Sequence, residues 1–77
     1  MSDNSVRDST SEFVDNFLQT LGDEPIDNLY EVVMTEVEKP MLEVLMKHVK
    51  NNQSKAAIML GLSRGTTRKK LKVYGFI

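Results

Sequence analysis

The sequence predicts an all-α protein of four helices: two long core helices followed by a C-terminal pair of short ones. Two long stretches repeat apolar residues every three or four positions, and clusters of Gly, Pro, Asn and Asp divide the chain into four segments. A 77-residue chain is one domain at most, and one this size buries only about 60% of the surface that its unfolded form exposes. We therefore expect a second chain to help stabilise the core.

The first helix is predicted from a single apolar stripe whose spacing fits one helical face. The stripe consists of Val6, Thr10, Phe13, Val14, Phe17, Leu18 and Leu21. Ser9 to Glu12 fits a capping box, which places the start of regular helix near residue 10, and Gly22 is suited to end it. Residues 1–5 are small and polar without periodicity, so we expect them to be disordered.

The second helix is predicted to begin after Asp27 or Asn28, either of which can cap it, and to run to about Val49. Its apolar residues cover too much of the circumference for one interface. The first helix can cover one side, and the rest needs the C-terminal segment or a second copy of the chain. Pro40 removes one backbone donor, which predicts a kink and an unpaired Glu36 carbonyl. The alternative, that the helix ends and restarts at Pro40, is disfavoured because the apolar pattern continues across it.

The last two helices are predicted from their caps. Asn52 can cap a helix over residues 53–60 that Gly61 closes, and Ser63 can cap a second one from Arg64 to about Val73 that Gly75 ends. A glycine in a short turn between two short helices is typical of the helix-turn-helix, whose second helix enters the DNA major groove. The chain is thus predicted to hold two longer helices within residues 6–49 and a helix-turn-helix region over residues 50–77.

Charge is divided between the two halves. Residues 1–38 hold ten acidic residues and one basic residue, a net of −9, whereas residues 39–77 hold nine basic residues and one acidic residue, a net of +8. Such asymmetry favours a polyanion as the partner of the C-terminal half, either nucleic acid or an anionic membrane surface. A solvated helix face is the alternative, but such a face usually mixes signs, so we favour nucleic acid.

Candidate DNA-binding residues lie at the starts of the last two helices and along the final one. Arg64, the first residue of the final helix, is suited to guanine O6 and N7. Hydroxyl side chains near the start of the final helix can contact a phosphate or a base, and the cations along that helix can contact phosphates. Polar residues at the start of the preceding helix can also bind a phosphate. These further candidates are Ser63, Thr66, Thr67, Arg68, Lys69, Lys70, Lys72, Asn52, Gln53, Ser54 and Lys55. Asn52 as a cap alone and Lys55 as an ordinary surface residue are the alternatives.

Several function classes find no support in the composition. The chain has no cysteine and only His48 as a histidine, which cannot form a zinc site by itself, so we expect no metal and no cofactor. Tyr74 and Phe76 are expected to seal the C-terminus against the core, and no acid/base pair or phosphate loop argues for an enzyme. No apolar run approaches the roughly 20 residues that span a bilayer, and the polar N-terminus is unlike a secretory peptide. We expect a soluble, cytoplasmic protein.

The stretch NLYEVVMTEVEKPMLEVLMKHVKNNQSKAAIMLGLSRGTTRKKLKVYG, residues 28–75, resembles the Fis family of bacterial nucleoid-associated proteins. The resemblance extends from about residue 6 to residue 75. Its C-terminal part also resembles the DNA-binding domain of sigma-54-dependent activators, but those chains are longer and lack the long proline-containing helix. The resemblance implies an intertwined homodimer, with dimerisation helices over residues 6–49 and a DNA-binding region over residues 50–77. It also implies that the two recognition helices of the dimer, one from each chain, lie closer together than successive major grooves. Bound double-stranded DNA must then bend, and sequence preference comes largely from its deformability.

Carried over by position, the resemblance implies that Arg64 contacts a base. It implies DNA-contacting or nearby positions at Asn52, Ser54, Lys55, Thr66, Arg68, Lys69, Lys70 and Lys72. The sequence departs from the family at Ser63, Thr67 and Val73, where Fis typically has asparagine, leucine and lysine. Only about five residues precede the first helix, so we expect the N-terminal hairpin arm that contacts recombinases in Fis to be absent or vestigial, and recombinase stimulation is not expected.

The leading hypothesis is therefore a dimeric, Fis-like protein of the bacterial nucleoid that binds and bends DNA and regulates transcription. A helical interaction adaptor, whose basic patch meets an acidic protein surface, is one alternative. An RNA-binding accessory factor is the other.

Overall fold

The computed structural model describes residues 5–77, and this part of the chain folds into four α-helices without a strand. They are α1 (Val6–Leu21), α2 (Leu29–His48), α3 (Gln53–Leu60) and α4 (Arg64–Val73). The predicted all-α fold of four helices is confirmed. The predicted disorder of residues 1–5 lies outside the described residues except for Ser5, which caps α1.

Helix α1 begins at Val6, the first residue of the predicted apolar stripe, which is one turn before the predicted capping box. The Ser5 Oγ accepts a hydrogen bond from the Asp8 N–H at 3.0 Å, and the Ser9 N–H donates to the Ser5 carbonyl at 3.0 Å. Ser5 supplies an earlier cap than the predicted capping box, and because no helix breaker lies between the two, the helix extends back over the first residues of the apolar stripe. Gly22 ends the helix as predicted, with φ +66° and its N–H donating to the Leu18 carbonyl at 3.2 Å.

Helix α2 begins directly after Asn28, whose carbonyl accepts from the Val32 N–H at 3.0 Å. It continues through Pro40, so the expected continuity of the helix across the proline is confirmed. Beyond its last residue the Asn51 N–H donates to the Met46 carbonyl at 2.8 Å and the Lys50 N–H to the Lys47 carbonyl at 3.2 Å. These two bonds form a Schellman ending, here with lysine in the left-handed position that glycine usually occupies.

Helices α3 and α4 have the predicted bounds. Gly61 closes α3 in the left-handed conformation at φ +76°. At the end of α4 the Phe76 N–H donates to the Leu71 carbonyl at 2.9 Å and the Gly75 N–H to the Lys72 carbonyl at 3.1 Å, a second Schellman ending. Phe76 packs against the core beside this ending, and Tyr74 does so as well, as expected.

The chain forms two compact units that divide between Met34 and Thr35. All buried residues of the described chain belong to the second unit, where α3 and α4 pack against each other and the second part of α2 joins their core. They are Leu42, Met46, Val49, Ala56, Ala57, Thr67 and Leu71. The predicted division into dimerisation helices over residues 6–49 and a DNA-binding region over residues 50–77 stays a prediction.

Candidate nucleic-acid interface

A cleft of about 350 Å³ lies where α3 and α4 begin. Gln53 and Ser54 line it from α3, and Arg64, Gly65 and Arg68 line it from α4. Two guanidinium groups, an amide and a hydroxyl therefore face one open space, and neither helix contains an acidic residue. Such a donor set suits an anion with several acceptor oxygens.

Both arginines of the cleft are held by the neighbouring helix. The Arg64 Nη1 donates to the Ser54 Oγ at 3.1 Å, and the Arg68 Nη1 donates to the Gln53 Oε1 at 3.3 Å. Each guanidinium commits one N–H to its bond and keeps its remaining donors for another ligand. The structure thus brings four of the predicted site residues together and assigns two of them, Gln53 and Ser54, an orienting contact.

The predicted candidates Asn52 and Ser63 are the N-caps of α3 and α4. The Asn52 Oδ1 accepts from the Lys55 N–H at 3.1 Å, and the Ser63 Oγ accepts from the Thr66 N–H at 3.1 Å. The Ser63 hydroxyl also donates to the Thr66 Oγ1 at 2.9 Å. These side chains are exposed, but their first role is to satisfy backbone donors at the two helix starts.

Thr67 is not on the surface. Its side chain is fully buried, and its Oγ1 donates to the Ser63 carbonyl at 2.9 Å. A buried hydroxyl that is already satisfied cannot contact DNA, so this candidate does not belong to the interface. Thr67 was predicted to face DNA, but it lies on the face of α4 that packs into the core.

Lys70 faces the core helix α2. Its Nζ lies 2.9 Å from the Glu38 Oε2 in a partly buried ion pair, and the Tyr74 hydroxyl donates to the other carboxylate oxygen of Glu38 at 2.8 Å. The hydrogen bond from Lys70, and then that from Tyr74, lowers the pKa of Glu38 below its usual 4.5. The same bond to Glu38, with some burial, raises the pKa of Tyr74 above 10.0. Lys70 therefore differs from the predicted phosphate contact, because its ammonium is engaged by this carboxylate.

Glu38 is the residue of this region that the sequence did not reveal. It stands among other acidic residues of α2, and its contacts with Lys70 and Tyr74 join the end of α4 to α2. Its partners lie 32 and 36 positions away, beyond any local pattern. One signal was available in the sequence. Tyr74 was expected to pack against the core, so its hydroxyl needed an acceptor there, and an acidic residue of α2 could supply it.

The remaining basic candidates are exposed to solvent: Lys55 on α3, and Lys69 and Lys72 on α4. Within residues 5–77 none of these three side chains forms an ion pair. Together with the two cleft arginines they give the α3–α4 surface five positive charges without a compensating carboxylate on either helix. This is the electrostatic character of a surface that binds a polyanion.

The described part of the chain lacks two other features, a membrane-spanning helix and a metal site. No helix between residues 5 and 77 combines the length and apolar character that crossing a bilayer requires. No group of three or more His, Asp or Glu side chains in the same range is placed to hold a metal ion.

Comparison with known proteins identifies the family. Residues 33–74 match the family described as bacterial regulatory protein, Fis family. The chain is 49% identical over 70 residues to proteins named DNA-binding protein Fis from Aliivibrio fischeri (strain MJ11) and Histophilus somni (strain 2336). It is 47% identical to the protein of that name from Photobacterium profundum. Each alignment covers 91% of this chain and 71% of the relative. The resemblance expected from the sequence is confirmed: the chain belongs to the Fis family of bacterial regulatory proteins.

Proposed function

We propose that this chain binds and bends double-stranded DNA as a homodimer, as a nucleoid-associated regulator of transcription in the bacterial cytoplasm. The observation that carries the proposal is the α3–α4 surface, where Arg64 and Arg68 line a cleft between two helix starts and neither helix contains an acidic residue. The relatives named DNA-binding protein Fis support DNA as the ligand. The Fis family consists of regulators and not of enzymes, so binding, without reaction chemistry, is the activity.

Within this proposal the residues divide into three roles. Arg64 reads a guanine, because a guanidinium at the start of a recognition helix can donate two hydrogen bonds to O6 and N7. Gln53 and Ser54 orient the two cleft arginines through the contacts of 3.3 and 3.1 Å. Phosphates are bound by the exposed cations and by the polar groups at the helix starts. These are Arg68, Lys55, Lys69, Lys72, Asn52, Ser63 and Thr66.

The homodimer is supported by apolar surface that a single chain leaves exposed. No residue of α1 is buried, and on α2 the side chains of Tyr30, Val44 and Met41 are 79%, 67% and 45% exposed. A second copy of the chain is the partner that the family resemblance implies for these helices. Two copies would also present two α4 helices, and bending lets both meet one duplex. Loss of recombinase contact stays a prediction.

The proposal is tested by measuring the affinity for duplex DNA at several salt concentrations. Binding that releases counterions weakens linearly in log–log plots, with a slope of about −0.9 per phosphate neutralised. We expect binding by micromolar protein at low salt, and a failure to bind under these conditions would contradict the proposal. Duplex RNA and an acidic polypeptide, added as competitors, test the two alternatives. If the protein is an RNA-binding factor, the RNA should displace the DNA at stoichiometric amounts, and if it is an adaptor, the acidic polypeptide should do so.

Three substitutions in α4 separate the proposed roles. Arg64→Ala should weaken binding by about 1–3 kcal/mol per half-site and relax the preference for guanine. Lys72→Ala should weaken binding to all sequences alike and reduce the salt slope by about 1. Lys70→Ala, which removes a charge of the same sign two positions away, should leave the slope unchanged because Lys70 pairs with Glu38. Equal slopes for Lys70→Ala and Lys72→Ala would contradict the assignment.

A further inference from the structure

Gly65 occupies the second position of α4 without a reason that lies within the described chain. The three glycines with positive φ are Gly22, Gly61 and Gly75, so Gly65 needs no special backbone conformation. Apart from its chain neighbours and the adjacent helix backbone, a Cβ added at Gly65 would meet no atom within 4 Å. Alanine would be the better helix former here. Neither backbone strain nor packing therefore explains the glycine.

The surroundings of Gly65 point to a ligand. The residue lines the cleft between the two arginines, Arg64 and Arg68. The cap at Ser63 takes the N–H of Thr66, which leaves the N–H groups of Arg64 and Gly65 without an acceptor in the helix, as at any helix start. Without a Cβ, a large anionic group can approach these two N–H groups closely.

We propose that Gly65 is a direct DNA contact, at which a backbone phosphate lies against the main chain of α4 and accepts a hydrogen bond from the Gly65 N–H. The inference rests on the proposed DNA binding and adds to it a residue that charge alone does not identify. The phosphate fits because the cleft supplies both partial positive charge from the helix start and two guanidinium groups. A methyl group at position 65 would occupy the space that the phosphate needs.

The test compares Gly65→Ala with Val73→Ala. Both substitutions are uncharged, both place alanine in α4, and both favour the helix. Val73 is 75% exposed at the far end of α4 and does not line the cleft. Thermal unfolding is followed by circular dichroism, and affinity is measured by fluorescence anisotropy on two duplexes that differ only in the guanine of the half-site.

We expect Gly65→Ala to unfold at the same temperature as the unaltered protein or a few degrees higher, and to bind both duplexes at least tenfold more weakly. Val73→Ala should bind within twofold of the unaltered protein. A loss below fivefold for Gly65→Ala would overturn the inference, as would a loss confined to the guanine-containing duplex. A lower unfolding temperature for Gly65→Ala would also overturn it, because the position would then have a structural requirement.

The unaltered protein distinguishes this inference from the proposed function. If the unaltered protein binds neither duplex, the proposed function fails and the inference fails with it. If the unaltered protein and Gly65→Ala bind equally well, DNA binding stands and only the contact at Gly65 is wrong.

Discussion

The two compact units of the chain differ in how they bury apolar side chains. From Thr35 onward seven residues are buried, and Leu42, Ala56 and Leu71 have no exposed surface at all. In the described part of the first unit no residue is buried, although α1 carries a regular apolar stripe. Even Phe13 and Phe17, whose rings stack with centroids 6.2 Å apart, stay partly exposed.

This difference shows which part of the molecule a single chain can stabilise. The second unit closes a small core around α3 and α4, so one chain suffices to preorganise the candidate DNA surface. The first unit presents an amphipathic helix whose apolar face lacks such a core, and helices of this kind owe most of their stability to packing. The proposed second copy would supply that packing.

The largest effect is expected from removing the centre of the core. Leu42→Ala should lower the free energy of unfolding by about 2–5 kcal/mol, because a fully buried leucine loses its contacts and leaves a cavity. Urea denaturation followed by circular dichroism measures the loss. Glu43→Ala, at the exposed neighbouring position, is the control and should change stability by less than about 0.5 kcal/mol. Similar values for the two variants would show that the second unit does not depend on this core.

A smaller effect is expected from the apolar face of α1. Phe17→Ala should raise the dissociation constant of the proposed dimer at least tenfold, about 1.4 kcal/mol, because the ring is partly exposed in one chain and the proposed second chain would bury it. Sedimentation equilibrium measures the constant. Asn16→Ala changes the exposed adjacent residue and should leave it unchanged. If both variants associate like the unaltered protein, another contact stabilises the first unit.

The ion pair of Glu38 tests how the second unit joins α4 to α2. Glu38→Gln should lower the free energy of unfolding by about 1 kcal/mol at neutral pH, a modest value because Lys70 is about one-third exposed. The folded-state pKa of Glu38 is lowered, so its contribution is present above its usual pKa of 4.5 and is lost as pH falls through the lower folded value.

Denaturation midpoints measured from neutral to acidic pH check this expectation. The unaltered protein should lose more stability below pH 4.5 than Glu38→Gln does. Glu36→Gln, on the same helix but exposed, should keep the acid sensitivity of the unaltered protein. Parallel pH profiles for Glu38→Gln and the unaltered protein would argue against the ion pair.

The smallest effect, with the opposite sign, is expected at the turn after α2. Lys50 has φ +53°, a conformation that favours glycine, so Lys50→Gly should raise the free energy of unfolding by about 0.5–1 kcal/mol. Lys47→Gly removes the same charge from an exposed position inside α2 and should lower stability by a similar amount. Thermal unfolding compares the two, and a shift in the same direction for both would contradict the strain at Lys50.

Local signals predicted most of the fold, and they were least decisive where two of them competed. The caps at Asn52 and Ser63 and the ending at Gly61 are where the sequence placed them, because a cap is decided by residues within about four positions. At the start of α1 two serine-based caps lie four residues apart, and the helix extends from the earlier one because no breaker intervenes. The candidate site was predicted at Arg64, Arg68, Gln53 and Ser54, which line one cleft. Thr67 and Lys70 were predicted for the same site, but Thr67 is buried in the core and Lys70 pairs with Glu38.

The sequence by itself determined the four helices, the helix-turn-helix spacing, the separation of acidic and basic halves and the family. Each of these depends on residue type and on neighbours a few positions apart. Only the tertiary structure decided which residues of α4 face outward, because that depends on how α4 packs. It buries Thr67 in the core, and it pairs Lys70 and Tyr74 with Glu38 across 32 and 36 positions. Charge and spacing cannot distinguish Lys70 from Lys69 or Lys72; contact with α2 does.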